Sequence, residues 1–156
     1  MQEQDAVTLQ LATLRDVRGI ANMSAALIEQ GLPHSWTERR VLAHIRHREC
    51  TVLVAKLANQ LTGFAIMEFG NTMAHLNLLA VDPRWQRRGI GRQLLEWLHE
   101  SALTIGTFVV KLELRAENGK ARRFYASLGY DECGYVPRYY CNVEDAVLMS
   151  RDLTVR

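Results

Sequence analysis

The chain is poor in the residues that staple or anchor a small protein, and its charges nearly cancel. It has three cysteines, Cys50, Cys133 and Cys141, in 156 residues. An odd number without C-x-x-C spacing indicates neither a disulfide framework nor a zinc site, and reads as free thiols in a reducing cytoplasm. No apolar run approaches the ~20 residues that span a bilayer, and MQEQDAVTLQ has neither the basic nor the apolar stretch of a secretion signal. A soluble cytoplasmic chain without a membrane partner is the expectation. The net charge of +2 is too mild to announce a nucleic-acid binder. Three prolines and ten glycines are scattered rather than gathered into a linker, and no repeat or low-complexity tract divides the sequence. One domain over residues 1–156 is expected, large enough to bury a core unaided.

Hydrophobic periodicity supplies the elements. VTLQLAT (7–13) alternates as a strand, and Thr13 to Asp16 has the spacing of a capping box before a helix with Val17, Ile20, Ala21, Leu27 and Ile28 on one face. Gly31 stops it. A second capping box, Ser35 to Glu38, predicts a helix carrying Val41, Leu42 and Ile45. TVLVAKL (51–57), LTGFAIMEF (61–69) and MAHLNLLAV (73–81) read as an antiparallel meander. A helix from about Gly89, with Ile90, Leu94, Trp97, Leu98 and Ala102 on one face, then leads to a strand over TFVVKLELR (107–115). Strand, helix and strand imply a right-handed crossover between parallel neighbours. Asn118 can cap a further helix bearing Ala121, Phe124, Tyr125 and Leu128, ended by Gly129. Strands near 130–135 and 145–150 close an α/β fold with a mixed sheet.

QRRGIG (86–91) is the segment richest in chemistry. It is no Walker loop, since no glycine is followed by Lys-Ser or Lys-Thr, and no dinucleotide fingerprint, since the third glycine is missing. It is a Q-x-x-G-x-G turn running into a helix N-terminus, where unpaired N–H groups and the helix dipole favour an anion. Arg87, Arg88 and Arg92 add positive charge. A plain solvated helix start satisfies the six residues equally well, so the surroundings have to decide.

Those surroundings, LLAVDPRWQRRGIG, resemble the acyl-CoA motif of the GNAT family of N-acetyltransferases. LELRAENGKARRFYASLGY (112–130) is similar to the family's next strand and Asn-capped helix. RYYCNVEDAVLM (138–149) is similar to the tail of the subgroup of ribosomal-protein alanine N-acetyltransferases. The likeness in motifs runs from about His75 to Met149; before it, only the order of elements agrees. It implies a mostly antiparallel sheet of about seven strands flanked by about four helices, with a parallel pair around the acyl-CoA motif. It also implies acetyl-CoA as co-substrate, no metal, and an amine acceptor, with a protein N-terminus as the best guess. A small-molecule amine, a lysine, or a non-catalytic acyl-CoA-binding module is the alternative, and monomer and homodimer both stay open.

By resemblance, the backbone of Leu79, Ala80 and Val81 holds the pantetheine arm, Arg87, Arg88, Gly89, Ile90, Gly91 and Arg92 cradle the pyrophosphate, and Asn118 contacts the pantetheine. Tyr125 would protonate the departing thiolate, or else be a core aromatic. Glu113 would be the base, with His75 competing for that role. Alternation puts Lys111, Glu113 and Arg115 on one face of their strand, and a charged face inside a helix-covered sheet suggests a cleft. Trp36, Tyr139 and Tyr140 would edge the acceptor groove. GYVP (134–137) departs from the polar lead-in of the alanine-acetylating subgroup, which keeps a different peptide or a small amine in play.

The cost of neutralising the acceptor bears on its identity. At pH 7 an α-amine costs about 1 kcal/mol to deprotonate and a lysine roughly 4.6 kcal/mol, so a glutamate working at a distance serves the first more easily. His44, His47 and Cys50 have helix-compatible spacing for a metal, but the last lies at the helix end and no carboxylate completes the set, so surface placement is expected. The basic cluster from Arg84 to Arg92 has no extension elsewhere that would make it a nucleic-acid patch.

Overall fold

A computed structural model describes residues 6–140 and 144–155. Among the described residues, seven strands form one sheet in the order β1-β2-β3-β4-β5-β7-β6. They are β1 (Thr8–Leu11), β2 (Cys50–Leu57), β3 (Gln60–Phe69), β4 (Met73–Val81), β5 (Val109–Arg115), β6 (Asp131–Tyr140) and β7 (Glu144–Asp152). Four helices, α1 (Val17–Met23, prolonged by a π-helical turn over Ser24–Ile28), α2 (Glu38–Arg46), α3 (Ile90–Thr104) and α4 (Gly119–Ser127), complete it. All strand neighbours are antiparallel except β4 and β5, which is the mixed sheet expected. The last two strands extend beyond the stretches expected for them. Among the described residues no helix is long and apolar enough to cross a membrane.

Two apolar layers cover the sheet. Leu53, Ala65, Met67, Leu94, Leu98, Val110 and Leu112 belong to one, on the side of α3 and α4, while Ile20, Val41, Val54, Phe64 and Ile66 belong to the other, on the side of α1 and α2. β2 and β3 are therefore apolar on both faces, as strands buried on both sides must be. Trp97 does not share the inner face of α3: it is 37% exposed, and Leu95 and His99 are buried instead. The i, i+4 and i, i+8 steps from Leu94 meet the sheet through Leu98 and Ala102, and Trp97 falls one residue off that row.

Register matters most on β4. Ala74 and Leu76 face the α3 side, but Leu78 and Ala80 face the α1 side. The switch falls where Met67 pairs with Leu76 and Ile66 with Leu78, leaving Asn77 as the extra residue of a β-bulge. One inserted residue turns the rest of a strand over.

The link between α1 and α2 is organised by Glu29, which the sequence does not single out. Ser35 does not cap α2; Thr37 does, its Oγ1 accepting from Arg40 N–H at 3.2 Å. Ser35 instead donates both its N–H and its hydroxyl to Glu29, which also accepts from Trp36 N–H at 3.1 Å and from the Ser24 hydroxyl at 3.0 Å. Burial opposes ionisation of this carboxylate, but the donors of Ser35, Trp36 and Ser24 outweigh it and hold the pKa at about 2, below its ordinary 4.5.

A depressed acid contributes stability above its unfolded pKa, and loses it as pH falls through the folded one. Glu29→Gln should therefore cost about 3 kcal/mol at neutral pH, with the deficit shrinking as pH drops below about 4.5. Chemical denaturation of both proteins across that range checks it; a pH-independent deficit would place the loss in packing rather than charge.

Candidate active site

The bulge at Asn77 coincides with a parting of the sheet. β4 and β5 pair only at Met73 with Val109, Ala74 with Val110 and His75 with Lys111. Beyond His75 the two strands diverge, while β4 stays on β3 and β5 stays on β7. The β5-facing edge of β4 at Leu79 and Val81 thus carries backbone groups without strand partners, Val81 O being tied instead to Gln86, and an extended ligand can add on to such an edge.

At the far end of β4 the chain turns through Asp82–Gln86 into α3. Asp82 accepts from Arg84 N–H at 2.9 Å and pairs with its guanidinium. Gln86 ties the turn down, its Nε2 donating to Val81 O at 3.0 Å and its Oε1 accepting from Lys120 Nζ at 2.7 Å. Arg87 and Gly89 both have positive φ, 66° and 81°, so the loop coils outward before α3 begins. A Cβ on Gly89 would meet nothing within 4 Å, whereas one on Gly91 would lie 3.2 Å from Phe124 Cζ. Gly89 faces open space, and Gly91 lets α3 approach α4. The first N–H groups of α3, from buried Ile90 onward, open on this loop. Arg92 leans to Glu96 at 3.5 Å, and Arg88 lies over the Trp85 ring at 4.9 Å. Trp85 Nε1 is the one buried side-chain polar atom left without a partner among the described residues. Unpaired backbone donors, an open glycine and arginines suit a diphosphate.

Asn118 caps α4 through its side-chain oxygen, which accepts from Ala121 N–H at 3.1 Å. Its amide NH2 is left as a donor. The same helix buries Tyr125 to 8% exposure, edge-on to Phe124 and Tyr130. Burial raises the phenol above its ordinary pKa of 10, so it is a protonated donor.

His75 and Glu113, rivals in the sequence, are partners in the structure. His75 Nε2 is hydrogen-bonded to Glu113 Oε2, and His75 Nδ1 to Asn77 Oδ1. Tyr139 donates to the other Glu113 oxygen at 3.1 Å, and Tyr140 stacks edge-on against Tyr139. The Glu113 hydrogen bond raises the His75 pKa above 6.5, and the same bond lowers that of Glu113 below 4.5. Lys111, Glu113 and Arg115 do share a face of β5, opposite buried Val110, Leu112 and Leu114. Arg115 is spent on structure, donating to Ile28 O at 2.9 Å and pairing with Glu144 at 3.3 Å.

Trp36 stands apart, 7% exposed in the α1–α2 layer with Arg40 over its ring at 3.8 Å. Its one link to the cluster runs through His44, 4.7 Å from the indole, which bonds Glu68 at 2.9 Å. Glu68 is what sequence reading missed. It stands opposite His75 across the β3–β4 ladder, so only the hairpin register could have revealed it. It also answers the missing carboxylate near His44 and Cys50: the three ligand atoms lie within 4.8 Å of one another. Here Glu68 is engaged by His44 and Asn77, and burial with the charges of Glu68 and Glu49 pushes the Cys50 thiol up to about 11.

Comparison with known proteins agrees with this geometry. The model of the acetyltransferase (GNAT) domain matches residues 48–132. The ribosomal protein bS18 alanine N-acetyltransferase of Salmonella typhimurium is 38% identical over 100 residues, covering 62% of this chain and 68% of that protein. The N-alpha-acetyltransferase RimI of Mycobacterium tuberculosis is 31% identical over 157 residues, 96% of this chain and 95% of that one. The crystal structure of the ribosomal-protein-S18-alanine N-acetyltransferase from Escherichia coli superposes with a TM-score of 0.80 at 28% identity, covering 95% of this chain and 94% of that one.

His75 should titrate above 6.5, and Glu113→Gln should bring its midpoint down, as read from imidazole resonances by NMR. Because a raised folded pKa stabilises most at low pH, the stability gap between wild type and Glu113→Gln should close as pH rises through the wild-type midpoint. An unmoved midpoint would show that the contact does not form in solution.

Proposed function

We propose, from the premise that this chain belongs to the GNAT acetyltransferase family, that it carries the acetyl group of acetyl-CoA to the α-amine of a protein N-terminus. The observation that carries this reading is the strand edge freed where β4 parts from β5, with the hydrogen-bonded Glu113–His75 pair at the point of parting; Tyr125, protonated on α4, is the acid this reading adds. The names of the relatives supply the acceptor class. Residues 1–156 act as one N-acetyltransferase domain in this proposal, in a cytoplasmic setting that suits the free thiols of Cys50 and Cys133.

Acetyl-CoA, when bound, supplies an activated thioester. Leu79, Ala80 and Val81 hold its pantetheine arm by main-chain hydrogen bonds, with Asn118 contributing its amide. Residues 87–92 take the diphosphate on the N–H groups of α3, a site that the dipole favours. The β4 backbone donors polarise the carbonyl where negative charge develops. Tyr125 gives its proton to the departing sulfur.

The acceptor amine arrives from the side of the charged face. An α-amine needs about 1 kcal/mol to lose its proton at pH 7, so the Glu113–His75 pair is base enough. Tyr139 holds Glu113 in place while itself facing the cleft, and Tyr140 backs it. Trp36 supports the groove from within the α1–α2 layer rather than as an exposed wall.

Gly89→Glu should abolish acetyl-CoA binding, because a side chain at φ 81° is strained and a carboxylate repels the diphosphate. An unchanged calorimetric titration would remove the site from this loop. Tyr125→Phe should lower kcat by roughly a hundredfold while leaving acetyl-CoA affinity near wild type. Equal losses in both would make Tyr125 a packing residue.

The acceptor is tested by incubation with acetyl-CoA and a panel of N-terminal peptides, lysine peptides, polyamines and amino acids, read by mass spectrometry. Acetylation at α-amines of peptides is the expected outcome. Modification confined to ε-amines or to small amines would overturn the acceptor class and leave the enzyme class standing.

A further inference from the structure

Asn77 has two chemically different ends, an oxygen that only accepts and an NH2 that only donates. Its Nδ2 lies 2.8 Å from Glu68 Oε1. A carboxylate only accepts, so the amide cannot be turned the other way without setting two acceptors against each other. The Asn77 oxygen is thereby committed to His75 Nδ1, and that nitrogen must carry a hydrogen. In the neutral ring, Nε2 is then the nitrogen with the lone pair, and Nε2 is the atom facing Glu113. The Nε2–Oε2 contact consequently holds one proton to share, as imidazolium and carboxylate or as imidazole and carboxylic acid.

We propose that Glu68, acting through Asn77, is a positioning residue that locks His75 in its Nδ1–H form, so that Nε2 and Glu113 together form a one-proton base toward the acceptor amine. The inference rests on the Glu113–His75 pair being the base. In the proton balance, the pair first gives its shared proton to solvent, and the emptied pair then takes one proton from the acceptor ammonium, which becomes the nucleophilic amine. The proton then lies between Nε2 and Oε2 until solvent removes it.

Every charged neighbour of His75 is consistent with this assignment. From β3, Glu68 is held below the ordinary carboxylate range by the Asn77 bond first, with His44 adding to it. From α2, His44 reaches the same Glu68 oxygen at 2.9 Å while its Nδ1 lies 2.9 Å from Arg40 O. From β5 come Glu113 itself and Lys111, the exposed register partner of His75. From β6, Tyr139 meets Glu113 and leaves His75 Nε2 to Oε2 alone. Without Glu68 the amide is free to flip, which would turn NH2 toward Nδ1 and move the hydrogen to Nε2. The lone pair would then point away from the cleft.

The test compares wild type, Glu68→Ala, the double variant Glu68→Gln with Asn77→Asp, and His75→Ala. In the double variant the carboxylate introduced at position 77 accepts from His75 Nδ1–H and from the amide introduced at position 68, so the tautomer is restored with the charge moved from one strand to the other. Ring nitrogen shifts by 15N NMR, above the His75 midpoint, report the tautomer. Glu68→Ala should shift His75 to the Nε2–H form and lower kcat by roughly tenfold or more, within the range of a general base, with KM for acetyl-CoA unchanged. The double variant should recover both. An Nδ1–H ring in Glu68→Ala, or an unchanged kcat beside a shifted tautomer, overturns the positioning role. Full activity and an unaltered pH profile in His75→Ala overturn instead the reading of the pair as the base.

Discussion

The site depends on the parting of two strands. β4 and β5 are the single parallel pair in the sheet, and three residues of β4 pair with three of β5 before they separate. Parallel pairing alone does not force a separation; the bulge at Asn77 does, by adding a residue to β4 and twisting it away while β3 follows it. On the other side, β5 remains committed to β7 along its whole length. What results is a sheet with an internal edge, roofed by apolar layers and yet offering unpaired main-chain groups.

The same bulge arranges the side chains. Before it, His75 and Asn77 project toward α1 and α2, together with Glu68 from β3 and Glu113 from β5. After it, Leu78 and Ala80 take over that side and close it with apolar surface. A polar cluster therefore ends abruptly where the strand edge becomes free. The cluster is half-buried and opens to solvent at Glu68 and Tyr139, and each residue from Tyr139 through Glu113, His75, Asn77 and Glu68 to His44 has its partner. Glu29 is likewise matched at the turn that leads into α2.

Much of this is legible in order. Alternation marks the meander and the amphipathic β5, and Asn118 announces the start of α4 by its capping chemistry. The glycine turn is recognisable because positive φ at Gly89 and close approach at Gly91 both demand glycine. Local rules fail where a tertiary partner outbids them. Ser35 has the spacing of a cap, but the Glu29 carboxylate claims it, and Thr37 caps instead. Trp97 fits a broad apolar stripe, but the sheet meets a narrower one and leaves it at the surface.

By itself, the sequence determined the order of elements, the two faces of β5, the glycine turn at the start of α3 and the family to which these belong, because each rests on spacings of a few residues along one chain. Whether Glu113 or His75 should be considered alone was decided only in three dimensions, where they share one hydrogen bond. Glu68 entered only there as well. It is nine residues from Asn77 and 45 from Glu113 along the chain, and nothing but the register of β3 on β4, displaced by one residue at the bulge, sets its carboxylate against the amide that orients His75.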